Sequence, residues 1–264
     1  MATNDTYGRS IRLRRLFRDG GRRLFVVPLD HSVTDGPVVR GGGLGRLLSQ
    51  VCGNGADAVI LPKGSVRHIR PHWFTATSLL VHLSAGTCLA PDPDFKYLVA
   101  GVEEALRIGA DGVSVHVNLG SGREAAQISD LASVGEACDR WNVPLLAMVY
   151  PRGPKIADPR NPRYVAHAVT IAADLGADIV KTVYPGSVDA LAEITRGCPI
   201  PVLIAGGPAD PDDDVLLARV EDAMRGGAAG VAVGRNIFGS ADPAKTTRRI
   251  SEIVHMRHDP AVAA

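Results

Sequence analysis

Ala177-Asp178-Ile179-Val180-Lys181-Thr182-Val183-Tyr184-Pro185-Gly186 is the stretch that decides the fold. It follows a helical stretch, is apolar around one lysine and ends at a Gly-bounded turn, so it reads as a buried strand. Its lead-in, Gly176-Ala177-Asp178, recurs as Gly55-Ala56-Asp57 and Gly109-Ala110-Asp111, with a near copy at Gly227-Ala228-Ala229-Gly230. A glycine that closes a helix and a short link into a buried strand is the chemistry of an αβ loop. One supersecondary unit therefore repeats along the chain.

Working outward from this unit, the pattern predicts strands over 24–30, 58–63, 78–83, 112–117, 144–150, 179–183, 202–205 and 230–233. Helical stretches are expected over 97–108, 124–141, 162–175, 188–195, 213–225 and 243–256; the helix after the second strand, 65–73, is short and ends near Pro71. Alternating strands and helices imply a parallel sheet. Eight units in this length point to an α/β fold of the closed (β/α)8 TIM-barrel type, a single domain. The competing open doubly wound sheet carries a Gly-rich fingerprint after its first strand. Here that turn reads Pro28-Leu29-Asp30-His31-Ser32. The expected organisation is an Arg-rich extension over 1–23, the barrel over 24–258 and a flexible tail over 259–264.

Composition sets the bounds. The 264 residues are 45% hydrophobic and 22% charged, with a net charge of +1. That is ordinary for a globular chain, and the net charge says little about partners; no nucleic acid or membrane partner is expected. No apolar run approaches the ~18 residues of a membrane span, and the start, Met1-Ala2-Thr3-Asn4-Asp5, carries no hydrophobic signal region. Cys52, Cys88, Cys138 and Cys198 are far apart, as expected of reduced thiols in a cytoplasmic protein. Arg9, Arg12, Arg14, Arg15, Arg18, Arg22 and Arg23 crowd the first 23 residues. They read as a solvated or subunit-contacting helix rather than a nucleic-acid arm, with Ile11, Leu13, Leu16 and Phe17 as its apolar side.

A barrel carries its chemistry at the C-terminal ends of its strands. Those ends read Asp30-His31, Lys63-Gly64, His82-Leu83-Ser84, His116-Val117-Asn118, Tyr150-Pro151-Arg152, Lys181-Thr182, Gly206-Gly207 and Gly234-Arg235. A lysine in a dry strand is costly as an ammonium; loss of water lowers its pKa, and a neutral amine attacks carbonyl carbon. Lys181 is the candidate nucleophile, with Lys63 in a similar position. Asp30 is placed to pair with a lysine and shuttle protons, and Tyr150 to donate or accept one. Gly206-Gly207-Pro208 and Gly234-Arg235-Asn236 fit a phosphate cradle, because glycines admit backbone N–H groups to an anion and an arginine clamps its oxygens. A zinc site of His31, His82 and His116 is the metal alternative; no compact ligand spacing such as HExxH supports it, and neither metal nor cofactor is expected.

With these residues located, the chain resembles the class I aldolases of the archaeal fructose-bisphosphate aldolase and aminodideoxyheptulosonate synthase group. The likeness rests on residues 27–37, 115–121, 148–153 (Met148-Val149-Tyr150-Pro151-Arg152-Gly153), 179–182, 205–208 and 232–238, and covers nearly the whole chain. It implies a Schiff base on Lys181 and proton transfer by Asp30 and Tyr150. Donor contacts follow from the same likeness at Asp30, His31, Ser32, Val33, Thr34, Tyr150, Pro151, Arg152, Gly206, Gly207, Gly234 and Arg235. The stretches Arg9-Ser10-Ile11-Arg12-Leu13, Lys63-Gly64-Ser65-Val66-Arg67-His68 and Val81-His82-Leu83-Ser84-Ala85 are similar to the branch that joins dihydroxyacetone phosphate to L-aspartate 4-semialdehyde. The partners implied are thus a phosphorylated ketose and an amino-acid aldehyde, with Arg152 or Arg123 on the aldehyde's carboxylate. The group forms ring-based homo-oligomers, a decamer among them. Pro62 stands where the group commonly has His, and Pro185 where it has a small polar residue; both departures bear on the acceptor. The other reactions in view are aminodideoxyheptulosonate synthesis from a deoxy-ketohexose phosphate and cleavage of fructose 1,6-bisphosphate. A non-catalytic phosphate-binding barrel is the alternative of another class.

Overall fold

A computed structural model describes residues 6–18, 20–39, 43–210 and 212–256; the tail expected over 259–264 lies outside them. Eight parallel strands close into a barrel in the order β1-β10-β9-β8-β7-β6-β3-β2. They are β1 (Leu24–Pro28), β2 (Ala58–Pro62), β3 (Ser78–His82), β6 (Gly112–Leu119), β7 (Leu145–Pro151), β8 (Ile179–Thr182), β9 (Val202–Ala205) and β10 (Gly230–Ala232). A two-stranded antiparallel piece, β4 (Ser84–Ala85) with β5 (Tyr97–Leu98), stands over β3.

The helices are α1 (Tyr7–Leu16), α2 (Ser32–Asp35), α3 (Gly43–Cys52), α4 (Lys63–Val66), α5 (Val102–Ile108), α6 (Glu124–Trp141), α7 (Pro162–Asp174), α8 (Val188–Gly197), α9 (Asp213–Arg225), α10 (Arg235–Phe238) and α11 (Pro243–Met256). Asn161, Ser187 and Asp212 cap α7, α8 and α9 by accepting first-turn N–H groups. The expected helix 97–108 is cut to α5, because Tyr97 and Leu98 pair with Ala85 and Ser84 instead. In the second unit a full helix is replaced by α4 and a 3-10 turn, Pro71–Phe74.

Residues alternate across each strand, so every second side chain enters the barrel. Leu24, Val26, Ala58, Ile60, Leu80, Leu146, Met148, Tyr150, Ile179, Leu203 and Ala232 form the inner cluster, while Phe25, Val27, Val59, Val81, Val180 and Val231 pack under the helices. This parity separates the two lysines. Lys181 follows Ile179 by two and points inward; Lys63 follows the inward positions 58, 60 and 62 by one and opens α4 outside the bore.

The Arg-rich start, expected as a solvated or subunit-contacting helix, lays the end of its apolar side against this barrel. Leu16 and Phe17 join the inner cluster from below and close the N-terminal end of the barrel. Three of the arginines, Arg9, Arg15 and Arg18, reach the aspartates of the repeated Gly-Ala-Asp. Arg9 Nε lies 3.2 Å from Asp178, Arg15 Nη1 lies 2.6 Å from Asp111, and Arg18 pairs with Asp57. Each aspartate also accepts a backbone N–H from the preceding strand in the barrel wall: Leu145 for Asp178, Leu79 for Asp111 and Phe25 for Asp57. One repeated side chain thus ties neighbouring strands together and anchors the floor.

Candidate active site

At the opposite end, Lys181 lies on β8 beside β7, in register with Met148, so Tyr150 stands two residues nearer the mouth. Lys181 is 5% exposed and Tyr150 is 8% exposed. Among the described residues Lys181 Nζ makes no ion pair, and Asp30 acts on it at longer range. The carboxyl of Asp30, just past β1, feels burial, which pushes it up. The positive charges of His82, His31 and Lys181 outweigh that and pull it down to about 2. Asp30 is therefore an anion across neutral pH.

Histidines surround this carboxylate. His82 Nε2 lies 3.7 Å from Asp30 Oδ2 and His31 Nδ1 lies 3.5 Å from Oδ1. Burial lowers both imidazoles more than Asp30 raises them. His82 Nδ1 meets Ser114 Oγ at 2.8 Å, which fixes its ring. His116 belongs to another group. Its Nε2 meets Asn118 Oδ1 at 2.9 Å and its ring stands edge-on to Tyr150, centroids 5.0 Å apart. Loss of water first, then the charges of His82 and Lys96, hold His116 well below the ordinary histidine range. Among the described residues no three His, Cys, Asp or Glu side chains converge as a metal-ligand set.

The remaining expected residues line the rim. Ser32, Val33 and Thr34 lie on α2, directly after Asp30 and His31. Pro151 ends β7, and the guanidinium of Arg152 lies 5.8 Å from the Tyr150 ring centroid. Arg123 is stacked on Phe95. Across the mouth, Asn236 Nδ2 donates to the carbonyls of Gly206 and Pro208, stapling the turn after β9 to α10. Gly207 has φ +77°, a backbone that side chains resist. At Gly234 a Cβ would stand 2.4 Å from Pro28 O and 3.2 Å from His31 Cε1. Arg235 opens α10 in solvent, close enough to act on His31. The two glycine turns thus flank one edge of the mouth.

One residue escaped the sequence reading. Lys96 is 5% exposed, and its Nζ donates to the carbonyls of Gly86 and Pro93. Burial and the charge of Arg152 lower its pKa against the pull of Asp94, Asp35 and Asp30. It lies in the polar run Asp92-Pro93-Asp94-Phe95-Lys96, between predicted strands, where no periodicity marks a buried side.

An inward lysine, an anionic aspartate and a phenol at the C-terminal mouth of a (β/α)8 barrel define a class, the barrel aldolases that work through an amine. Residues 24–240 match the model of the DeoC/LacD family aldolases, and the chain belongs to that family. It is 60% identical over 255 residues to 2-amino-4,5-dihydroxy-6-oxo-7-(phosphonooxy)heptanoate synthase of Streptomyces griseus, covering 97% of this chain and 93% of that protein. It is 40% identical to 2-amino-3,7-dideoxy-D-threo-hept-6-ulosonate synthase of Halobacterium salinarum, covering 97% and 95%. Among solved structures it resembles an archaeal fructose-1,6-bisphosphate aldolase whose catalytic Lys is covalently bound to the carbinolamine intermediate of the substrate. The TM-score is 0.82 at 27% identity, over 93% of this chain and 99% of that one. The chain is an enzyme, an aldolase.

Proposed function

We infer that the protein is a class I aldolase that condenses dihydroxyacetone phosphate with L-aspartate 4-semialdehyde to 2-amino-4,5-dihydroxy-6-oxo-7-(phosphooxy)heptanoate. The observation that carries the chemistry is the single inward lysine of β8, set between Tyr150 and Asp30. The 60% identity to a protein named for that product carries the choice of substrates. A donor whose phosphate rests on Gly206, Gly207, Gly234 and Arg235 presents its ketone to Lys181.

Nζ adds to the carbonyl carbon, and loss of water from the carbinolamine leaves an iminium. Its positive charge faces the Asp30 carboxylate, a fixed anion in a dry site. The iminium acidifies the hydroxymethyl carbon, and Tyr150 takes up and returns protons on the carbon side. The enamine carbon then bonds to the aldehyde carbon, the new alkoxide is protonated, and water releases the product from Lys181. All atoms of donor and acceptor are retained.

A ring-based homo-oligomer and a cytoplasmic location belong to the same reading. Cys52, Cys88, Cys138 and Cys198 are all free thiols, in keeping with a reducing compartment. Among the described residues no helix is long and apolar enough to cross a membrane.

The test is borohydride reduction in the presence of dihydroxyacetone phosphate, followed by peptide mass spectrometry. The expected result is a reduced donor adduct on Lys181, with no adduct in Lys181→Met. An enzyme that turns over without any trappable adduct overturns the reading. Mass spectrometry of the product from each candidate donor, offered with aspartate semialdehyde, separates this reaction from aminodideoxyheptulosonate synthesis.

A further inference from the structure

In the donor reading the phosphate lies at one edge of the mouth, and of the expected donor contacts only Ser32 and Val33 reach the cavity at the opposite edge. In the barrel order β9 stands across from β3, and β8 across from β2. The glycine turns follow β9 and β10. Over the ends of β2 and β3 lies a separate cavity of about 440 Å3, walled by Lys63, Ser65, His68, Ser84, Ser32 and His82. Its exposed lining is mainly apolar, with Val33, Pro62 and Val99 in the wall, and the serine hydroxyls, the two imidazoles and the Lys63 ammonium are a few polar points in it. That mixture suits a small polar ligand.

The cavity has a chemical end and a charged end. His82 forms part of its wall and lies 3.7 Å from Asp30, so a group beside His82 is at the reacting centre. At the other end stands Lys63, whose Nζ pairs with Glu104 Oε2 at 3.0 Å; Glu104 lies behind Lys63, outside the lining itself, and the two side chains are 39% and 28% exposed. A partly solvated pair of this kind holds together weakly. A ligand that carries a carboxylate and an ammonium on the same carbon can replace it, each charge finding an opposite one. Parity explains why Lys63 is available for this: it sits just outside the bore, where it cannot compete with Lys181 for the ketone.

We propose that this cavity is the acceptor subsite, in which Lys63 holds the carboxylate and Glu104 the ammonium of an α-amino-acid aldehyde whose carbonyl lies against His82. The inference rests on the aldolase reading above and assigns it a second site. Donor and acceptor then approach from opposite edges, and the new carbon–carbon bond forms across the mouth above Lys181. Lys63 takes the role first expected of Arg152 or Arg123.

The experiment is steady-state kinetics of the full-length enzyme and its Lys63→Met, Lys63→Arg and Glu104→Gln variants, with each substrate varied in turn. The expected result is a KM for aspartate 4-semialdehyde raised tenfold or more in Lys63→Met and Glu104→Gln. The KM for dihydroxyacetone phosphate should hold, and Lys63→Arg should recover most of the loss. An unchanged aldehyde KM in both variants overturns the subsite, as does an equal rise in the donor KM. Borohydride trapping of the donor on Lys181 is measured alongside. Its absence from the wild-type enzyme would overturn the Schiff-base reading itself, whereas trapping with an unchanged aldehyde KM overturns the subsite alone.

Discussion

His82 Nε2 lies 3.7 Å from Asp30 Oδ2, while its other ring nitrogen meets Ser114 Oγ at 2.8 Å. The imidazole is held on both sides in a place with almost no water. Burial lowers the pKa of His82, and the same holds for His31 and His116. A lowered pKa means that the unfolded chain binds protons that the folded chain refuses. Stability is full above the ordinary histidine value, 6.5, and falls as the pH drops below it toward the folded values. Each proton of difference makes the slope steeper by about 1.4 kcal/mol per pH unit. Urea unfolding at pH 7 and pH 5 should show a marked loss in the wild type. His82→Gln, which keeps a polar group but removes the titration, should show a smaller one. Equal pH slopes in the two proteins would refute the assignment.

Asp30 works in the other direction. Its carboxyl is pulled from 3.8 to about 2, so its anion survives further into acid than an ordinary aspartate. At the pH where Asp30 takes a proton, His82, His31 and Lys181 all carry charge and oppose that proton. Removing one of them, as in His82→Gln, should move the Asp30 titration upward, toward 3.8. Carbon-13 NMR of labelled aspartate reads this directly. A titration that stays put would mean that His82 does not act on Asp30.

Tyr150 stands edge-on to His116 and under the Arg152 guanidinium, two residues nearer the mouth than the partner of Lys181. Replacing it by Phe keeps the ring and its packing and removes only the hydroxyl. Tyr150→Phe should still trap the donor on Lys181, while turnover falls by about 10²–10⁴-fold, the usual size of a general acid–base contribution. A variant that loses trapping and turnover together would make Tyr150 a donor-binding residue.

Gly234 tests the phosphate edge. A methyl there would meet Pro28 O at 2.4 Å, and the obstacle is backbone rather than a flexible side chain. Gly234→Ala should cost about 1–3 kcal/mol in unfolding free energy, as overpacking does. It should also raise the KM for the phosphorylated donor more than that for the aldehyde, because the turn and His31 are pushed apart. An aldehyde KM that rises more than the donor KM would remove Gly234 from the donor side.

Much of this was legible in the chain, and the reasons differ by residue. Strand period and Gly-closed helices announce the barrel, and a lysine two places from Ile179 in an apolar run is a strong local signal. Lys63 and Lys181 could not be ranked on placement alone; strand parity separates them once the register is known. Lys96 was invisible because its burial comes from the fold of a polar loop over β6, with Asn118 and Gln127 both donating to Asp94 O. The Gly-Ala-Asp repeat was read for its glycine. The aspartate's two partners, a neighbouring strand and a distant arginine, are set by closure of the barrel and have no periodic trace.

That repeat yields the last prediction. Asp57 is buried, accepts the Phe25 N–H at 2.6 Å, lies 3.0 Å from His255 and pairs with Arg18. Asp57→Ala strands a buried backbone donor, which costs about 1–3 kcal/mol. The Arg18 side chain is half in solvent while Asp57 is fully buried; His255 and the Phe25 N–H still partner that carboxylate in Arg18→Ala, which should therefore cost less than Asp57→Ala. Both residues lie at the N-terminal face of the barrel, which serves stability, and the chemistry lies at the other end. Chemical denaturation should therefore rank Asp57→Ala well below Arg18→Ala in stability, with kcat near wild type in both. A loss of kcat in Asp57→Ala without a loss of stability would show that the floor of the barrel is coupled to the mouth.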